Sequence, residues 1–127
     1  FNRTVGFRNG MAHPFFIIDE DNDNSFLEIP LVIQDCALFR DDSLGMKLGE
    51  ALKLCRKLID KIRDVRGCVS ILWHPHCMSQ EYIESFKYLI DYIYESNGVC
   101  VSLKDGAKSW LENKVSHCNI SDLLCVD

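Results

Sequence analysis

Three side chains able to carry protons or bind metal fall within four residues: His74, His76 and Cys77. They follow directly on the apolar run Ser70-Ile71-Leu72-Trp73. Imidazole changes charge near neutral pH, so it can give or take a proton during a reaction. Imidazole and thiolate are also zinc ligands. Adjacent ligands on one short loop do not easily wrap a tetrahedron, and the chain has no CxxC and no His-x-x-x-His to complete one. This leaves His74, at the tip of an apolar strand, as the sharpest candidate for a general acid or base. The plainer role for such a histidine is a bond to a backbone carbonyl.

Other candidates lie further off in sequence. Asp35 ends the run Glu28-Ile29-Pro30-Leu31-Val32-Ile33-Gln34. It could pair with Arg8, orient a histidine or cap a turn. Arg8 sits between Gly6 and Gly10, where a guanidinium can reach a carboxylate in bidentate fashion. Trp73 and Trp110 have faces that could stack on sugar rings. Their spacing places Trp110 in the core and Trp73 near the site. His13, beside Pro14, and His117, in the polar tail, read as loop residues.

The elements that must position these groups follow from periodicity. Apolar residues recur at helical spacing from Leu44 to Val65, with Gly67 as the stop, and again from Ser79 to Asn97-Gly98. A shorter helix is predicted over 104–114. Strands are predicted over 28–33, 68–73 and 99–103. Residues 1–16 read as a closing loop and 19–25 as a polar turn. The order β-α-β-α-β-α predicts an α/β fold with a parallel sheet, in a single domain over 1–127. In such sheets ligand and catalytic groups gather at the C-terminal edge.

Composition narrows the classes. The chain has 127 residues and a net charge of −5, with no basic stripe for nucleic acid. The basic residues cluster between Lys47 and Arg66, alternating with acids as on a solvated helix face. No apolar run approaches the roughly 20 residues of a membrane span. The first ten residues hold no signal-peptide apolar region. Seven cysteines, an odd number, predict free thiols in a reducing compartment, with the cytoplasm favoured. Cys68 and Cys100 are expected as small buried hydrophobes, and a Cys118–Cys125 disulfide is the weaker option. The chain opens on Phe1 rather than Met, which is expected of an internal residue of something longer or of processing.

Three segments together carry a resemblance: Gly6-Phe7-Arg8-Asn9-Gly10-Met11-Ala12-His13-Pro14-Phe15, then Glu28-Ile29-Pro30-Leu31-Val32-Ile33-Gln34-Asp35, then Leu72-Trp73-His74-Pro75. In that order they resemble the C-terminal half of polysaccharide deacetylases with the NodB homology domain (carbohydrate esterase family 4), over residues 5 to 113. The resemblance implies part of a distorted (β/α) barrel and metal-dependent removal of acetyl groups from carbohydrates. It implies that Leu72 lines the acetyl pocket, with Trp73 and Pro14 beside the substrate. His74 would be the general acid toward the leaving amine. Arg8 would orient a catalytic aspartate, and Asp35 would tune the histidine or the arginine.

Five residues separate Arg8 from Pro14 where the family has one, which marks a divergent branch. The family's first two motifs, a paired aspartate and two metal-binding histidines, have no counterpart; Asp41-Asp42 is a poor substitute. The expectation is therefore a C-terminal half, inactive alone, with no cofactor of its own. The full-length protein would hold a zinc-like divalent metal. Carbohydrate is the expected substrate, and the missing half or a second copy the expected partner. Two alternatives stay open: a non-catalytic carbohydrate-binding or scaffold module of half-barrel shape, and a small flavodoxin-like regulatory domain.

Overall fold

The structure, a computed structural model, describes residues 4–19, 24–74 and 79–116. An N-terminal segment with a single 3-10 turn at Arg8–Gly10 leads into β1 (Phe15–Asp19) and β2 (Asn24–Glu28). These pair antiparallel, with Phe15 opposite Glu28 and Asp19 opposite Asn24. Then come β3 (Leu31–Gln34), the short helix α1 (Asp35–Phe39), the long helix α2 (Leu48–Asp64) and β4 (Ser70–Leu72). Helices α3 (Gln80–Glu95) and α4 (Leu103–Ser116) complete the described chain.

Strands β3 and β4 are parallel, as a crossover connection through helices requires. The fold is thus mixed α/β with a short parallel sheet. Val32 and Ile33 of β3 form one apolar cluster with Leu38 of α1, with Ala51, Cys55, Leu58, Ile59 and Ile62 of α2, and with Leu89 and Ile93 of α3. The buried α2 positions recur at three- and four-residue intervals, the expected inward stripe. Outside this seam a polar clamp joins the two long helices. Arg56 lies 4.6 Å from the centroid of the Tyr92 ring and donates to the Tyr88 hydroxyl, and the Tyr92 hydroxyl donates to Asp60. At the base of the sheet, the buried Ser70 hydroxyl donates to the Pro30 carbonyl.

Both long helices end in the same way. In α2, the Arg66 N–H bonds the Arg63 carbonyl and the Gly67 N–H bonds the Ile62 carbonyl, both at 2.8 Å. In α3, Asn97 bonds Tyr94 and Gly98 bonds Ile93 in the same pattern. These are Schellman caps, in which one residue turns left-handed. Sequence places a glycine at that turn. The structure gives it to Arg66 (φ 53°) and Asn97 (φ 62°), and sets the glycines one position later. Close packing explains the position of Gly67: a Cβ there would lie 2.5 Å from the Ala12 carbonyl oxygen.

Three expectations are corrected. The 99–103 run forms no strand, so the third β of the predicted series is absent among the described residues. Val99, Val101 and Leu103 are exposed, with no ladder neighbour. Ser102 instead starts α4: its hydroxyl accepts from the Asp105 N–H at 3.1 Å and donates to the Asp105 carboxylate at 2.6 Å. A cap of that kind favours the helix over a strand without a partner. The helix expected from Leu44 is α2 and begins at Leu48, because residues 41–44 form a turn closed by Ser43 and Gly45 N–H bonds to the Arg40 carbonyl. Strands β1 and β2 take up the end of the loop read over 1–16 and both ends of the turn read over 19–25, while residues 4–14 stay outside any strand. The signal of this pair, two apolar runs flanking a polar stretch, was obscured because Phe16, Ile17 and Ile18 do not alternate with polar residues.

The cysteines are corrected in part. Cys36, Cys55, Cys68 and Cys100 are free thiols; Cys36 and Cys55 are buried, Cys68 is half-buried and Cys100 exposed. Burial pushes the Cys55 thiol up to about 12 and also raises that of Cys68. Cys118 and Cys125 lie outside the described residues. Among the described residues no helix is long and apolar enough to cross a membrane.

The caps give a paired test. Arg66→Gly removes a left-handed side-chain cost and should raise the unfolding free energy by about 1 kcal/mol. Gly67→Ala forces a methyl against backbone and should lower it by roughly 1–3 kcal/mol. Urea denaturation of the two variants checks both signs.

Candidate functional site

The register of the parallel pair assembles the site. Leu31 lies opposite Ser70, Ile33 opposite Ile71 and Gln34 opposite Leu72, with a shift between Leu31 and Ile33. Asp35 is the next residue after β3 and opens α1; His74 lies two residues after β4. Residues 39 apart in sequence therefore emerge side by side at the C-terminal edge of the sheet, where such folds collect their chemistry.

Asp35 has no exposed surface. Its Oδ2 accepts the backbone N–H of His74 at 2.6 Å, and its Oδ1 lies 2.7 Å from His74 Nδ1 and accepts the Cys36 N–H at 2.7 Å. Burial alone would push this carboxyl upward. The bonds from the His74 backbone, the His74 ring and the Cys36 N–H outweigh it, and the group is held below the ordinary carboxylate range. An ionised carboxylate only accepts, so the proton between the two side chains sits on Nδ1. Nε2 is then the ring nitrogen that Asp35 does not hold, and about a third of the His74 side chain is exposed.

The Cys36 thiol lies 3.5 Å from the same Nδ1. This is not a nucleophile–base pair of the Cys-His kind. There the orienting carboxylate and the nucleophile occupy opposite ring nitrogens; here both approach one. Asp35, Cys36 and His74 do offer a carboxylate oxygen, a sulfur and a nitrogen within 4.8 Å of one another, a set that could hold a metal ion.

The structure brings together Asp35 and His74, and of the roles open to Asp35 it places the one of orienting the histidine. Trp73 is close in sequence but packs inward, against Phe39 (ring centroids 5.8 Å, edge-on) and Phe86 (5.6 Å). Its buried Nε1 meets no hydrogen-bond partner among the described residues. Trp73 is therefore a half-buried wall of the aromatic cluster. Leu72, the last residue of β4, is exposed, and Pro14 is buried. The N-terminal segment is tied to the opposite end of β4, where Cys68 N–H bonds the Ala12 carbonyl at 2.7 Å. The backbone of Arg8 lies in the 3-10 turn; its side chain, with Pro75, His76, Cys77 and His117, lies outside the described residues.

Trp110 is core, as expected, and stacks at 6.0 Å on His13. His13 lies in a loop bend, as expected, but its Nδ1 is buried. Sequence reasoning passed over Cys36 as a site residue. Its signal was its place directly after Asp35 at the end of a strand.

Comparison with family models, with curated proteins and with solved structures gives no match for this chain.

The Asp35 linkage has a definite sign. Its folded-state value is depressed, so its contribution is complete above the unfolded value near 4. That contribution is lost as pH falls through the lower folded value. Asp35→Asn, which sets an amide against the His74 N–H, should cost about 2–4 kcal/mol at pH 7. Urea unfolding from pH 7 down to pH 2 should show the gap between variant and wild type narrowing below about pH 4.

Proposed function

We propose that this chain carries the general-acid side of a carbohydrate deacetylase site of the NodB type, as part of a distorted (β/α) barrel. The observation that carries the reading is the buried Asp35 carboxylate on Nδ1 of a half-exposed histidine at a strand tip. Asp35 fixes the tautomer and aims the ring. His74 then delivers a proton through Nε2 to the amine or alkoxide leaving an acetylated sugar, and Asp35 balances the charge the ring carries before that transfer. Leu72, exposed beside the tip, would face the acetyl methyl. The resemblance also gives Arg8 the task of orienting a carboxylate, supplied from outside this chain; Pro14, buried in a segment tied to the far end of β4, takes no part in this step.

The family's metal does not fit this sequence: no Asp-Asp follows an apolar strand and no His-x-x-x-His occurs. The metal half would come from another segment or chain. The exposed Phe16, Ile17, Ile18 and Phe26 of the hairpin support association with such a partner or with a second copy. The free thiols support a reducing compartment, the cytoplasm foremost. The rival reading, a carbohydrate-binding module, is weakened by the inward packing of Trp73.

The test is hydrolysis of an acetylated amino-sugar oligomer by the full-length protein. His74→Ala should lower kcat about 10²- to 10⁴-fold, the usual contribution of a positioned acid. Asp35→Asn should lower kcat and displace the pH–rate profile, with KM little changed. Wild-type turnover in His74→Ala would end the assignment.

A further inference from the structure

The Asp35–His74 pair needs no thiol, yet Cys36 brings one to 3.5 Å from the ring nitrogen that Asp35 already holds. We propose that Asp35, Cys36 and His74 form a binding site for a thiophilic divalent cation of the zinc class, which takes His74 through Nδ1. The site stands on these three side chains alone, whichever reaction His74 serves.

One of the distances already matches zinc-type geometry. With Zn–S of about 2.3 Å and Zn–N of about 2.0–2.1 Å, a tetrahedral angle separates sulfur from nitrogen by about 3.5 Å. The Cys36 Sγ to His74 Nδ1 distance is 3.5 Å. The carboxylate is closer than a shared ion allows: Oδ1 lies 2.7 Å from Nδ1, the length of a hydrogen bond, against about 3.3 Å across a tetrahedral zinc. Entry of the cation therefore parts that pair by about half an ångström, within reach of a small rotation of the His74 ring. Charge and protons balance simply. The ring proton moves from Nδ1 to Nε2 by exchange with solvent, the thiol proton is released, and the cation binds thiolate, neutral imidazole and carboxylate. The ligand set mixes soft sulfur with nitrogen and oxygen, which selects zinc or cobalt over magnesium or calcium.

The metal-bound form and the hydrogen-bonded pair exclude each other, since both need Nδ1. A cation here is thus distinct from the water-activating metal of the deacetylase family. It would withdraw His74 from proton transfer rather than assist it.

Cobalt(II) titration of the reduced 127-residue chain, followed by absorption, reads the site directly. The expected result is a saturable sulfur-to-cobalt band, displaced by zinc. Cys36→Ser should abolish the band and weaken zinc binding by at least about tenfold, the lower end of what even an outer-shell change costs. Cys77→Ser should keep both. Absence of the band in the wild type overturns the proposal, as does a band that survives Cys36→Ser or disappears with Cys77→Ser. Far-ultraviolet circular dichroism confirms that the variants fold. If Cys36→Ser does not fold, alkylation of Cys36 in the wild type, located by mass spectrometry, decides: slowing by zinc supports the site, and an unchanged rate overturns it.

Discussion

A carboxylate without exposed surface is tolerable only when its lone pairs are filled by donors fixed in place, and Asp35 meets that condition with three. Two are backbone N–H groups, one from its own helix and one from the neighbouring strand's exit. The third is the His74 ring. Each donor constrains a different element. Asp35 therefore ties the start of α1 to the end of β4 and sets the orientation of the imidazole in one arrangement. The short parallel sheet has only three paired positions, too few to hold its edge by ladder bonds alone. The carboxylate supplies what the ladder lacks, and the reactive nitrogen is aimed as a result.

How far this was legible in the sequence depends on which signal carried each part. The stripe of Cys55, Leu58, Ile59 and Ile62 repeats at helical spacing and marks α2 plainly. His74 stands out because an apolar run stops at it. The pairing of Asp35 with His74 was only one of three roles open to Asp35, because register is a tertiary property: nothing local says which residue of one strand faces which residue of another. The false strand at 99–103 shows the converse. Val99, Cys100 and Val101 have β-forming side chains, but a strand also needs a neighbour, and Ser102 with Asp105 offered the chain a competing helix start.

The roles of Trp73 and Cys36 were set by direction rather than by type. An indole beside a strand-tip histidine can face out toward ligand or in toward core; contacts with Phe39 and Phe86 fix it inward. A cysteine after an aspartate is ordinary in composition. It matters here because the first turn of α1 swings its sulfur back to the ring that Asp35 holds. Neither direction can be read from residue identity, since both depend on where α1 and α3 pack.

The register shift in β3 acts as a ruler. Between Leu31 and Ile33 this strand spends one more residue than β4 to cover the same rise. Side chains alternate faces along a strand, so a single residue of length decides on which side of the sheet Asp35 emerges. The carbonyl of the intervening Val32 is taken by the N–H of Gly6, whose φ of 112° suits only glycine. The spacing of the site is thus latched from the far end of the chain segment that precedes it. Deleting Val32 would preserve every side chain of the site and still turn the carboxylate away from the imidazole. For this fold, strand length is as much a determinant of chemistry as the residues at its tip.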